Sequence, residues 1–121
     1  MTYVIIVDKK ANSLKKERDD GNIEYKWKLL NIKRTKLIRL ITQMNYRLNE
    51  GNGKSMYTIG FLDDGTAIGI TKSELSLTLC NIILAVKELE ADIKKVIIFK
   101  KDNFYWAKVF ICKNKKLYIT F

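Results

Sequence analysis

The chain contains no histidine and no proline. Without histidine there is no His-ligated metal centre, no Ser-His-Asp or Cys-His nucleophile and no imidazole general base. Cysteine is scarce: Cys80 and Cys112 each sit inside an apolar segment and form no CxxC pair. That placement reads as two reduced core thiols in a reducing compartment. Arginine is scarce too, with 4 residues beside 19 lysines. No apolar run approaches the length of a membrane span or a secretory h-region; the YVIIV run at positions 3–7 is too short for either.

What remains is a chain of 121 residues with 47% hydrophobic and 11% aromatic content. That length suits one domain with one modest core, and the composition is that of a folded globule. The net charge is +10, from 23 Lys+Arg against 13 Asp+Glu. Lys, Asn and Ile supply 44 of the residues, so part of the charge reflects a lysine-rich composition that keeps a surface solvated. The alternative is a face that binds a polyanion.

The order of elements is read from periodicity. Residues 3–7 form a β-branched run, and 9–22 read as a charged, solvated loop or mobile linker. Residues 23–30 alternate, with Ile23, Tyr25, Trp27 and Leu29 on the inward face of a half-buried strand. Residues 35–50 carry Leu37, Ile41, Met44 and Leu48 at helical spacing, and Gly51 and Gly53 stop that helix. Two apolar runs, 56–62 and 66–71, flank Asp63-Asp64-Gly65, a hairpin signal. Thr71-Lys72-Ser73-Glu74 is a capping box that opens a second helix with Leu75, Leu79, Ile82, Val86 and Leu89 on one stripe, ending near Ala91. Runs at 93–101 and 104–113 meet at Asp102-Asn103, and 117–121 is one more short strand-like run. The expected order is β-β-α-ββ-α-ββ-(β). The expected fold is an α+β two-layer sandwich, two helices on one face of a mainly antiparallel sheet.

Candidate chemistry is thin. Gly51-Asn52-Gly53-Lys54-Ser55 imitates a phosphate loop, but GxxxxGK[ST] needs glycine where Leu48 stands. A helix also precedes this loop, so its terminus has the wrong dipole sign for an anion. Asp63-Asp64-Gly65 lacks a calcium-loop pattern and reads as a turn with solvated carboxylates. The basic positions are better founded: Lys26 and Lys28 on a strand, Lys33, Arg34, Lys36, Arg39 and Arg47 in or beside one helix, and Lys54 after it. Such residues suit contact with nucleic-acid phosphates, and Tyr46, Tyr57, Tyr105 and Trp106 are either stacking groups or core.

Three blocks carry a resemblance. Gly21-Asn22-Ile23-Glu24-Tyr25-Lys26-x-Lys28-Leu29-x-Asn31 comes first. Thr42-Gln43-Met44-x-x-Arg47-Leu48-x-Glu50-Gly51-x-Gly53 follows, and then Tyr57-x-Ile59-Gly60-x-x-Asp63-x-Gly65-x-x-x-Gly69, with a weaker echo at Ala91-Asp92-Ile93. In order and spacing the chain resembles the GTP-binding protein one/two family, translational GTPases related to elongation factor one-alpha. The resemblance implies a region that precedes the GTPase domain. GTP binding and hydrolysis then belong to later domains, and this chain is expected to be non-enzymatic. More distantly, Glu24-Tyr25-Lys26 and the Ile59–Gly69 block are similar to the Alba-like domain of Schlafen proteins, some of which are metal-dependent ribonucleases with three carboxylates. Carried over, Glu24 fits one carboxylate, Asp19 sits where an upstream one could be, and the third falls near apolar Leu62. A nuclease using Asp19, Glu24 and Asp63 is therefore disfavoured.

The resulting expectation is one cytoplasmic domain, with 1–22 as N-terminal strand and charged loop and 23–113 as the α+β core. Residues 114–121 would be a terminal strand or a linker toward a GTPase domain. Lys26, Lys28, Lys33, Arg34, Lys36, Arg39, Arg47 and Lys54 would contact RNA of a tRNA or the ribosome. The parent's GTPase domain is the other expected partner. No metal, cofactor, membrane or DNA is expected, and the alternatives are a protein-interaction module or an Alba/Schlafen-like RNA-binding domain with a vestigial nuclease site.

Overall fold

A computed structural model of the chain describes residues 2–113. The run expected at 117–121 lies outside the described residues. The strands are β1 (Tyr3–Val7), β2 (Ile23–Lys26), β3 (Lys54–Ile59), β4 (Ala91–Lys101) and β5 (Phe104–Lys113). The helices are α1 (Arg34–Glu50), between β2 and β3, and α2 (Lys72–Glu88), between β3 and β4. The α+β, two-layer expectation holds.

The strands form one sheet in the order β1-β4-β5-β3-β2. β5 pairs antiparallel with β4 and with β3, and these are the longest registers. β1 runs parallel to β4, and β2 parallel to β3, so both edges are parallel and the sheet is mixed. Each helix returns the chain to the same end of the sheet, which a parallel connection requires.

Both helices cover one sheet face. The core joins Leu40, Met44 and Leu48 of α1, Leu75, Ile82 and Val86 of α2, and Tyr57, Ile59, Val109 and Ile111 of the sheet. On α1 the buried stripe is Leu40, Met44, Arg47 and Leu48, rotated from the expected Leu37–Ile41 line. α2 has the predicted capping box: the Glu74 amide donates to Thr71 Oγ1 at 3.2 Å, and the Thr71 amide donates to Glu74 Oε1 at 3.0 Å. It ends at Glu88, short of Ala91, which already belongs to β4.

Four expectations are corrected. Residues 66–71 are not a strand; the chain turns at Asp63-Asp64 and rejoins the sheet by one isolated bridge, Ile70 to Tyr105. The return path lies against Trp106: a Cβ on Gly69 (φ +81°) would stand 3.0 Å from that indole, so the ladder gives way to a close-packed loop. β2 is shorter than 23–30, and its parity is reversed: Glu24 faces the helices while Ile23 and Tyr25 face away. Residues 9–22 are not a solvated linker but a strap over the second sheet face. Its Ala11 and Leu14 pack with Phe61, Ala67, Trp106, Tyr25 and Phe99. Leu14 N–H donates to the Gly65 carbonyl at 2.8 Å, and Glu17 N–H to the Asp63 carbonyl at 2.7 Å. Finally, Cys80 is exposed and Cys112 half-buried; both thiols are free but neither is a core residue.

Candidate functional site

The eight basic positions separate into four situations. Lys33, Arg34, Lys36 and Arg39 are exposed together at the start of α1. Lys33 occupies the N-cap without a side-chain capping bond, and the first turn holds no acid. Cations here have the same sign as the helix dipole's N-terminal end, a cost of some tenths of a kcal/mol each. An anion lying over this turn relieves that repulsion.

Lys26 and Lys28 are engaged elsewhere. Lys26 Nζ is 3.8 Å from Glu24 Oε2. Lys28 lies beyond the end of β2; its Nζ is 2.7 Å from Glu74 Oε2 and 4.1 Å from the centroid of the Trp27 ring. The Lys28 contact holds the Glu74 carboxyl below its ordinary pKa. Lys54 is exposed at the start of β3, after α1 has ended, and so stands apart from the Lys33–Arg39 cluster.

Arg47 is inside the molecule, only 3% exposed. Its Nε donates to Glu24 Oε1 at 2.9 Å, its Nη1 to the carbonyls of Asp20 (2.8 Å) and Gly21 (3.0 Å), and its Nη2 to that of Arg18 (2.8 Å). The guanidinium is thereby the clasp that fixes the strap to α1 and β2. Four of its five donors are bonded and the group is buried, so it does not present itself to a phosphate, and its place in the exposed basic set is corrected accordingly. Sequence reasoning misplaced it because of its charge, although its i+3 spacing from Met44 puts it on the buried stripe.

Glu17, absent from the expected site, completes this cluster. Its carboxylate accepts from the Tyr25 amide and lies 3.9 Å from Arg47 Nη2. Burial pushes its carboxyl up to about 7; the Tyr25 bond opposes that rise, while Glu24 and Asp63 add to it. Asp19 and Asp63 are both exposed. Among the described residues no three His, Cys, Asp or Glu side chains are grouped to hold a metal ion. Glu24 is already neutralised by Arg47 and Lys26, which leaves it a structural ligand of the guanidinium.

The three motif blocks meet here. Glu24, Arg47, Gly65 and Gly69 are the residues that clasp, admit or back the strap. The chain is similar to GTP-binding protein 2. It is 40% identical over 87 residues to GTP-binding protein 2 of Mus musculus and, to the same extent, to GTP-binding protein 2 of Homo sapiens. The similar stretch is 69% of this chain but 14% of either relative. The chain thus spans a small fraction of the curated relatives that it matches. No family model and no solved structure matches it. No helix among the described residues is long and apolar enough to cross a membrane.

Proposed function

We propose that this chain is a non-catalytic accessory domain of the GTP-binding protein one/two family, positioned before the GTPase domain of a cytoplasmic, elongation-factor-like protein. The observation that carries this reading is the 40% identity to GTP-binding protein 2 over 87 residues. GTP chemistry belongs to the rest of such a parent. The domain's own task is contact with structured RNA, of a tRNA or the ribosome, through Lys33, Arg34, Lys36 and Arg39 at the start of α1. Four exposed cations over the first two turns of α1, the first turn without acids, support it.

The test is binding of a 20-base-pair RNA duplex across a salt series. The Lys36→Glu, Arg39→Glu double variant is expected to weaken affinity at least tenfold and to flatten the log-log salt slope by about 2. Unchanged affinity removes the RNA reading.

A second reading rests on a different observation. α2 leaves Leu77, Ile83 and Leu84 exposed, and Ile83 lines one groove with exposed Val4 of β1. Apolar side chains so grouped favour docking onto the parent's GTPase-bearing part.

A further inference from the structure

The strap leaves half of the second sheet face open. The registers align one row across all five strands: Tyr3 of β1, Lys95 of β4, Phe110 of β5, Met56 of β3 and Ile23 of β2. The next row adds Lys108 between Ile97 and Thr58. Beyond it lies the row of Phe99 and Trp106, which the strap covers. The open row floors a shallow basin of about 600 Å³, whose rim includes Lys54 and, at the β4 bulge, Lys94.

The chemistry of this surface is one-sided. Tyr3 is 63% exposed, and Phe110 and Met56 are half-buried with their faces at the basin. Lys54, Lys94 and Lys95 stand among them, and Lys108, one row on, has its Nζ 5.8 Å from the centroid of the Phe99 ring. One carboxylate, Asp92, reaches the same end of β4, and it lies 4.0 Å from Lys94. Lys95 Nζ lies 4.5 Å from the centroid of the Phe110 ring, a cation–π contact. The sheet presents Tyr3 and Phe110 on one face, with Lys54, Lys94 and Lys95 lining the same basin. That is the arrangement that stacks bases while tracking phosphates.

We propose that the open sheet face is a docking platform for a single-stranded polynucleotide. Bases stack on Phe110 and Tyr3, Met56 and Ile23 line the apolar floor, and Lys54, Lys95 and Lys108 hold the phosphates. When a base occupies Phe110, Lys95 moves from the ring to the adjacent phosphate. This face is opposite the helices, so the platform is independent of the α1 cluster and stands whether or not that cluster binds duplex RNA.

The experiment uses the full chain and a fluorescein-labelled twelve-nucleotide oligouridine, read by anisotropy, with the 20-base-pair duplex and an oligoglutamate peptide in parallel. The intact chain is expected to bind oligouridine with an affinity that falls steeply with salt. Phe110→Leu keeps an apolar side chain but removes the stacking face, and is expected to weaken that binding about tenfold. Lys95→Gln with Lys108→Gln is expected to flatten the salt slope by about 1.4. Tyr3→Ala, at an exposed edge position, is the safeguard should Phe110→Leu fail to fold, and is expected to weaken binding about fivefold. Lys36→Glu with Arg39→Glu is expected to leave oligouridine binding within twofold while it weakens the duplex. The proposal is overturned if the intact chain does not bind oligouridine, or if the sheet variants bind it as the parent does. Loss of oligouridine binding in the α1 variant alone overturns it as well, as does tighter, Phe110-dependent binding of oligoglutamate.

Discussion

Arg47 concentrates what single residues contribute here. Its guanidinium and the Glu24 carboxylate are both almost wholly withdrawn from water. A buried pair is weak evidence of net stabilisation, but removing one partner strands the other's charge. Arg47→Met is therefore expected to cost about 3–5 kcal/mol in urea unfolding, and to free the carbonyls of Arg18, Asp20 and Gly21 as well. Adding Glu24→Gln to Arg47→Met is expected to restore part of that loss, because the stranded carboxylate is gone. A double variant no more stable than the single one would mean that the strap carbonyls, not Glu24, carry the cost. The residue was legible as part of a motif block and as a charge, not as a core group. Charge suggests solvent, whereas the spacing from Leu40 and Met44 assigns Arg47 to the buried side. Glu24 misled for the same reason: alternation assigned its apolar neighbours to the core, but Tyr25 packs under the strap on the second sheet face and Ile23 stays exposed there. Among the described residues two buried side-chain polar atoms lack a hydrogen-bond partner, Trp106 Nε1 and the Tyr57 hydroxyl, whose ionisation is pushed up by burial and by Glu24.

At the scale of elements, the helices were the most legible parts and the strap the least. A capping box, a 3.6-residue period and glycines past the end act locally, so α1 and α2 can be read without a partner. The strap has no period of its own. It is held by what it meets: Gly65, where any Cβ would strike the Leu14 carbonyl, the Arg47 clasp, and the Tyr25 amide, which donates to the strap's own Glu17. That carboxyl makes its docking pH-dependent. Glu17 has its folded-state pKa raised to about 7, above the usual value near 4.3 of an unfolded chain. The fold therefore binds this proton more tightly than the unfolded chain does. Its stabilisation is complete below about 4.3 and disappears as pH rises through about 7. Glu24 and Asp63 oppose the charged form, while Arg47 and the Tyr25 amide favour it. Hydrogen exchange at the Leu14 and Glu17 amides, corrected for intrinsic rates, is expected to show greater protection at pH 5.5 than at pH 8.5. Glu17→Gln should abolish the difference. Equal protection at the two pH values in the parent chain would refute the assignment of Glu17 as the titrating group.

Across the whole molecule, the layers were legible and the sheet order was not. Hairpins joined by short turns are local, and β4–β5 was found at Asp102-Asn103. The parallel pairing of β1 with β4 joins positions more than 90 residues apart, and nothing in either strand's pattern names the other. The same limit hid the outer face of α2, since an apolar helix reads as buried whichever way it turns. Leu84 is 50% exposed there, with Leu77 about two helical turns earlier on the same face. In relatives of which this chain matches 14%, the matching stretch has neighbours, and an apolar patch rather than the basic turn of α1 is what a neighbouring domain would cover. Mixing this chain with human GTP-binding protein 2 that lacks the matching stretch tests the point by calorimetry. If the patch docks, binding should persist from 50 to 500 mM salt, because apolar burial is little screened. Leu77→Lys with Leu84→Lys should weaken it at least tenfold, since two ammonium groups would be buried without partners. Both positions are exposed, so the variant is expected to melt within a few degrees of the parent. Lys36→Glu with Arg39→Glu should leave this association unchanged. Binding lost in the α1 variant and kept in the α2 variant would assign the contact to the basic turn and remove the apolar reading.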